Sequence, residues 1–123
     1  MNWSGFGAIA LALAVSMGAF GAHSLRAKLD AYSMDVYEKA VFYHFIHAFG
    51  LLIAPLLAKA GLLTPVQAGR ACLLLALGIL IFSGSLYTLA ITGARWLGAI
   101  TPLGGLSFIA GWLVLAWGLF RGK

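Results

Sequence analysis

The chain contains four uninterrupted apolar runs, each near or above the roughly 20 residues a helix needs to cross a hydrocarbon core. They cover residues 3–22, 36–60, 65–92 and 102–120 of the 123. Within lipid every backbone N–H and C=O needs a partner inside the protein, so a spanning run must be a helix or a strand of a closed barrel. Barrel strands alternate polar and apolar residues, and none of these runs alternates. The expected fold is therefore all-α: a polytopic membrane protein with a single four-transmembrane-helix bundle over residues 1–123. Composition agrees. Charged residues make up 9% of the chain, against about 25% in soluble domains, and mean hydropathy is +1.01. The net charge of +5 is spread thinly, with no Lys/Arg block of the kind that tracks phosphates, so no nucleic-acid partner is expected. Cys72 is the one cysteine. It excludes an internal disulfide and a cysteine-based zinc site, and it reads as a small apolar residue within the third run.

Local signals place the ends of the helices. The first run resembles a signal peptide and closes on the small residues Ala19 to Ala22. No basic residue precedes it, however, and it exceeds the usual apolar core of about 7–15 residues, so it is expected to be retained as a span. Asp35 is placed to cap the second helix, with Glu38 completing a capping box, and Gly61 to stop it. Thr64, Pro65 and Gln67 give the same signature for the third helix, which Gly93 closes. Thr101-Pro102 repeats the cap-then-proline pattern for the fourth. The one long connection, residues 24–34, has Leu25, Leu29 and Tyr32 at helical spacing among Arg26, Lys28 and Asp30. That spacing predicts a short amphipathic piece lying on the membrane surface.

Four spans put both termini on one side, together with Lys59, Arg70, Arg121 and Lys123. Arg26, Lys28, Lys39 and Arg95 fall on the other, so the positive-inside count is tied. Lys39 lies inside the second helix, which weakens its vote, and the adopted orientation has both termini in the cytoplasm. Small residues are expected to form the helix contacts, because lipid is as apolar as leucine and close backbone approach does more. Ala10, Ala14, Gly18 and Ala22 form one such line, with Ala8 and Ala12 beside it. Gly78, Gly84, Gly104, Gly105 and Gly111 are the counterparts in the third and fourth helices. These seams fit an intramolecular bundle, a homo-oligomer or both.

Polar residues gather in the half of the bundle away from the termini. The candidate cluster is His23, Glu38, Tyr43, His44, His47, Ser83, Ser85, Tyr87 and Thr101. His44 and His47 share one helix face, which Tyr37, Ala40 and Leu51 continue. His47 falls near the midplane, where an ionisable residue calls for a functional hypothesis. At least one of the two rings is expected to bond Ser83, Ser85 or Tyr87. No tightly bound metal is expected, because His23 and His47 differ too much in depth to share the short ligand distances of zinc. No cofactor is expected either.

Several motifs recur together in order: Gly18-Ala19-Phe20-Gly21-Ala22-His23, Tyr43-His44 with His47-Ala48, Phe82-Ser83-Gly84-Ser85-Leu86-Tyr87, Thr92-Gly93, and Thr101-Pro102-Leu103-Gly104-Gly105 ahead of Gly111-Trp112. With these motifs the chain resembles the YwdK/YgdD-like family of small integral membrane proteins. Ser24 departs from the glycine expected after His23. The resemblance implies a bacterial-type plasma-membrane protein, a domain of unknown function, and it carries over no catalytic residue. The reading adopted is an accessory or scaffold protein, not an enzyme, that packs against another membrane protein or itself in the bilayer. The alternatives are a proton or small-solute path along His44 and His47, and a lipid-headgroup pocket at the polar end using Arg26 and Arg95.

Overall fold

The computed structural model describes residues 1–122 and is a bundle of four helices, each long and apolar enough to cross a membrane. Lys123, counted above with the terminal side, lies outside the described residues. Helix α1 runs Trp3–Leu25, and its last five residues, Gly21–Leu25, form a π-turn. Helix α2 is Ala31–Lys59. Helix α3 is Pro65–Thr92, with a second π-turn at Ile79–Ser83. A 3-10 turn at Arg95–Ala99 leads into α4, Thr101–Arg121.

Capping chemistry accounts for most of the ends. Asn2 accepts the Gly5 N–H at 2.8 Å and opens α1. Thr64 and Gln67 form the reciprocal capping box expected of α3. Gly61 and Gly93 have φ of 83° and 76°, the left-handed geometry that ends a helix where a side chain would be strained.

Three features differ from the expectation. Helix α2 starts at Ala31, capped by Asp30 accepting from the Ser33 N–H at 2.7 Å, and not at residue 36 under Asp35. That bond holds the Asp30 carboxyl below its ordinary pKa. Asp35 instead sits inside the helix and pairs with Lys39 at 3.0 Å. The reason is burial: Met34, Val36 and Tyr37 pack with Leu25, Leu89 and Ala90 in an apolar cluster at this end, and only a helix begun earlier presents them inward. The surface-lying piece at residues 24–34 is correspondingly absent. Leu25 belongs to α1, Tyr32 to α2, and the helical spacing of Leu25 and Leu29 points into the bundle, not the bilayer surface. The third difference is Thr101, which caps nothing; its hydroxyl turns inward.

The packing order is sequential. Helix α1 lies chiefly on α2, α2 on α3, and α3 on α4. Along α1 the buried small residues are Gly7, Ala14 and Gly21. This is a seven-residue seam, as suits two long helices crossing at a shallow angle, and not the four-residue line Ala10, Ala14, Gly18, Ala22. A Cβ on Gly7 would lie 2.6 Å from the Leu52 backbone nitrogen, whereas one on Gly18 would make ordinary contact with Val41 at 3.6 Å. Between α3 and α4 the close approaches are at Gly78, Gly104 and Gly111. Gly84 has nothing within 4 Å and Gly105 only the edge of Phe82 at 3.8 Å, so neither is a tight contact. A second apolar cluster, including Leu51, Leu63, Leu75, Phe108 and Leu115, fills the bundle from its middle to the terminal end.

Helix α2 is 29 residues long, about 43 Å at 1.5 Å per residue, and exceeds a hydrocarbon core of about 30 Å. Lys39 and Lys59 bracket roughly that thickness, which places His47 close to the midplane and Glu38 in the interfacial zone.

Candidate functional site

The histidine face of α2 is buried along its length: Tyr37, Ala40, His44, His47 and Leu51 all point inward. The polar groups on it do not converge on one point; they separate into three local arrangements. In the first, His44 Nδ1 lies 2.9 Å from the Tyr87 hydroxyl and ties α2 to α3. The backbone of Ala10 in α1 borders the same ring, so three helices meet at His44. The expected bond between a histidine of α2 and a side chain of α3 is thus present.

In the second arrangement, His47 bonds within its own helix. Its Nδ1–H donates to the Tyr43 carbonyl at 2.6 Å, and its ring stacks on Phe108 of α4 with centroids 3.4 Å apart and planes 13° from parallel. Tyr43 is exposed and covers Phe82, 4.5 Å between centroids. In the third, Ser83 donates to the Ala40 carbonyl at 2.9 Å, and the Ser85 and Thr101 hydroxyls lie 2.6 Å apart, joining α3 to α4. The Phe82 and Leu97 carbonyls stand ready to take the remaining proton. The π-turn at Ile79–Ser83 ends on the first of these serines and lies two residues ahead of the second; both are buried.

His23 and Glu38 do not join any of these groups. His23 is exposed on the π-turn of α1, and Glu38 is exposed and ion-paired with Arg26 at 3.0 Å. Charged groups stay at the interface where water reaches them. Among the described residues no buried side-chain nitrogen or oxygen lacks a partner, and no three His, Cys, Asp or Glu side chains come together.

Sequence reasoning missed two features. Tyr37 is 1% exposed, lies against Gly21 and donates its hydroxyl to the Met17 carbonyl, locking the end of α1 onto α2. Its signal was present as an aromatic on the histidine face, but nothing local named its partner. The other is a groove of about 460 Å³ between α1 and α3, walled by Phe6, Ile9, Leu13 and Leu80, with His44 and Tyr87 at its floor. It exists because α1 packs on α2 and makes little contact with α3.

The His44–Tyr87 bond permits a direct check. Tyr87→Phe leaves a buried imidazole without its partner. Interhelical hydrogen bonds in membranes average about 0.6 kcal/mol and reach about 1.7, so a loss in that range is expected in an unfolding titration in mild detergent. A variant as stable as the parent would show that the bond contributes nothing to the fold.

Comparison with known sequences supplies the family. A profile described as "Protein of unknown function (DUF423)" matches residues 17–105, the stretch that holds His23, Glu38, Tyr43, His44, His47, Ser83, Ser85, Tyr87 and Thr101. The chain belongs to this family. The UPF0382 membrane protein SH2409 of Staphylococcus haemolyticus is 49% identical over 115 residues, covering 94% of this chain and 92% of the relative. The UPF0382 membrane protein YwdK of Bacillus subtilis is 45% identical over 111 residues, covering 89% and 88%. No solved structure matches. The DUF423 family is thus one of small membrane proteins of unknown function, in keeping with the four apolar helices and with the resemblance carried by the sequence motifs.

Proposed function

We propose that this DUF423 protein is a non-catalytic association element of the plasma membrane, with both termini in the cytoplasm, and that it pairs with a second copy through the lipid-facing side of α1. The observation that carries the reading is the stripe Ala8, Ala12, Ser16 and Ala19. All four are exposed, and at 100° per residue they fall on one face, opposite the Gly7–Ala14–Gly21 seam that α2 occupies. Helix α1 is also the least enclosed span: 17% of its most apolar stretch is buried, against 39% for α2. Exposed small residues three or four apart let two backbones approach closely, which is what drives helix association where leucine gains nothing from leaving lipid. The alternative of a path along His44 and His47 finds less support, since the two rings bond different partners and Phe108 stacks on the second.

Energy transfer between differently labelled copies in lipid vesicles tests the pairing. Transfer above that of random proximity is expected for the parent, and Ala12→Leu is expected to weaken association at least fivefold. Transfer at the random level in the parent, or unchanged transfer in Ala12→Leu, would refute it.

A further inference from the structure

We infer that the terminal end of the bundle binds the headgroup of an anionic phospholipid in a cleft between α3 and α4. The cleft encloses about 600 Å³ and is lined by Gln67, Arg70, Leu113, Trp117 and Phe120 among others. Arg121 stands beside it, its guanidinium carbon 5.4 Å above the Trp117 ring.

The acids of this chain, Asp30, Asp35 and Glu38, all lie at the opposite end. There Glu38 pairs with Arg26 and Asp35 with Lys39, and Arg95 covers the Tyr32 ring at 4.5 Å. Of the two arginines that the sequence offered for a phosphate, Arg26 is ion-paired and Arg95 lies at the end that holds all three acidic side chains. Arg70 and Arg121 are exposed and take part in neither ion pair found among the described residues. Two guanidiniums with no acidic side chain at their end of the bundle, flanking one cleft at a membrane interface, suit a phosphate, which arginine can bind in a forked geometry. Basic pockets between spans are a known setting for anionic headgroups. The rest of the cleft selects a lipid over a free anion, since Leu113 and Val114 continue it toward the hydrocarbon and Trp117 and Phe120 sit at the level where interfacial aromatics anchor. The inference does not depend on pairing through α1.

Native mass spectrometry of the protein released from vesicles of equal phosphatidylglycerol and phosphatidylcholine tests it. Phosphatidylglycerol is expected to be retained preferentially. The preference should fall about fivefold for each arginine removed, in Arg121→Gln and further in Arg70→Gln/Arg121→Gln, while Arg26→Gln/Arg95→Gln keeps it. Four results would overturn the proposal: no preference in the parent, an undiminished preference in both the single and double terminal-end variants, an equal loss in the Arg26/Arg95 variant, or displacement of the bound lipid by inorganic phosphate, which marks a simple anion site. The single variant Arg121→Gln keeps the question open to refutation if the double variant fails to fold.

Discussion

Gly104→Leu is expected to cost about 3 kcal/mol or more of stability, the upper end of what overpacking of a filled interior does. The reason is what the new side chain would meet. A Cβ at position 104 would fall 2.7 Å from the Phe82 Cβ and 2.8 Å from its Cα, with the Phe82 backbone nitrogen closer still. Backbone cannot rotate away as a flexible side chain can, so α4 must move off α3, loosening the nearby Ser85–Thr101 contact as well. Gly84→Ala is the internal control. It meets nothing within 4 Å, and replacing glycine inside a helix by alanine stabilises by roughly 0.5–1 kcal/mol. Unfolding titrations in mild detergent should rank the three proteins with Gly84→Ala at or above the parent and Gly104→Leu far below. Equal stability of Gly104→Leu and the parent would mean that the α3–α4 crossing is not as close as described.

The second large effect is expected at Tyr37. This ring is almost wholly buried between the end of α1 and α2, 5.3 Å from Tyr87, and its hydroxyl reaches the Met17 carbonyl. Truncating a large buried aromatic to alanine typically costs about 3–5 kcal/mol, through lost contacts and the cavity left behind. Part of that cost normally reflects transfer from water, which lipid reduces, so a value near 3 kcal/mol is expected for Tyr37→Ala. Tyr37→Phe keeps the ring over Gly21 and removes one hydrogen bond, for about 1 kcal/mol. The two variants are thus expected to separate clearly in the same titration. Should they lose equal stability, the hydroxyl and not the packed ring would be holding α1 in place.

Which parts of this structure could be read from the sequence follows from how local their causes are. The spans were legible because an apolar run some 20 residues long has few other uses. The Thr64–Gln67 box and the stops at Gly61 and Gly93 were legible because each depends on three or four neighbouring residues. The start of α2 was not. Asp30 and Asp35 both offer a capping carboxylate, and the choice between them is made by Met34, Val36 and Tyr37 packing against distant Leu89 and Ala90. The two π-turns were equally hidden, since no proline interrupts Gly21–Leu25 or Ile79–Ser83. Glycines announced close packing but not its location: Gly104 and Gly84 look alike in the sequence, and only the facing helix distinguishes them. Of the candidate residues, His44, His47, Ser83, Ser85 and Thr101 are buried, and they bond in separate pairs: His44 with Tyr87, Ser83 with the Ala40 carbonyl, and Ser85 with Thr101. His23 and Glu38 stand apart from these pairs, both exposed and Glu38 ion-paired with Arg26, a partner twelve residues away that local sequence does not name.

The pairing of two copies through α1 is tested most directly by site-specific cross-linking in the native membrane. The native Cys72 is fully buried and should not interfere. Ala12→Cys, in the exposed stripe, is expected to form a disulfide-linked dimer on treatment with a membrane-permeable oxidant. Ile109→Cys, exposed on α4 near the middle of that helix, is expected to remain monomeric under the same conditions. Monomeric Ala12→Cys, or cross-linking as strong at Ile109 as at Ala12, would contradict the account.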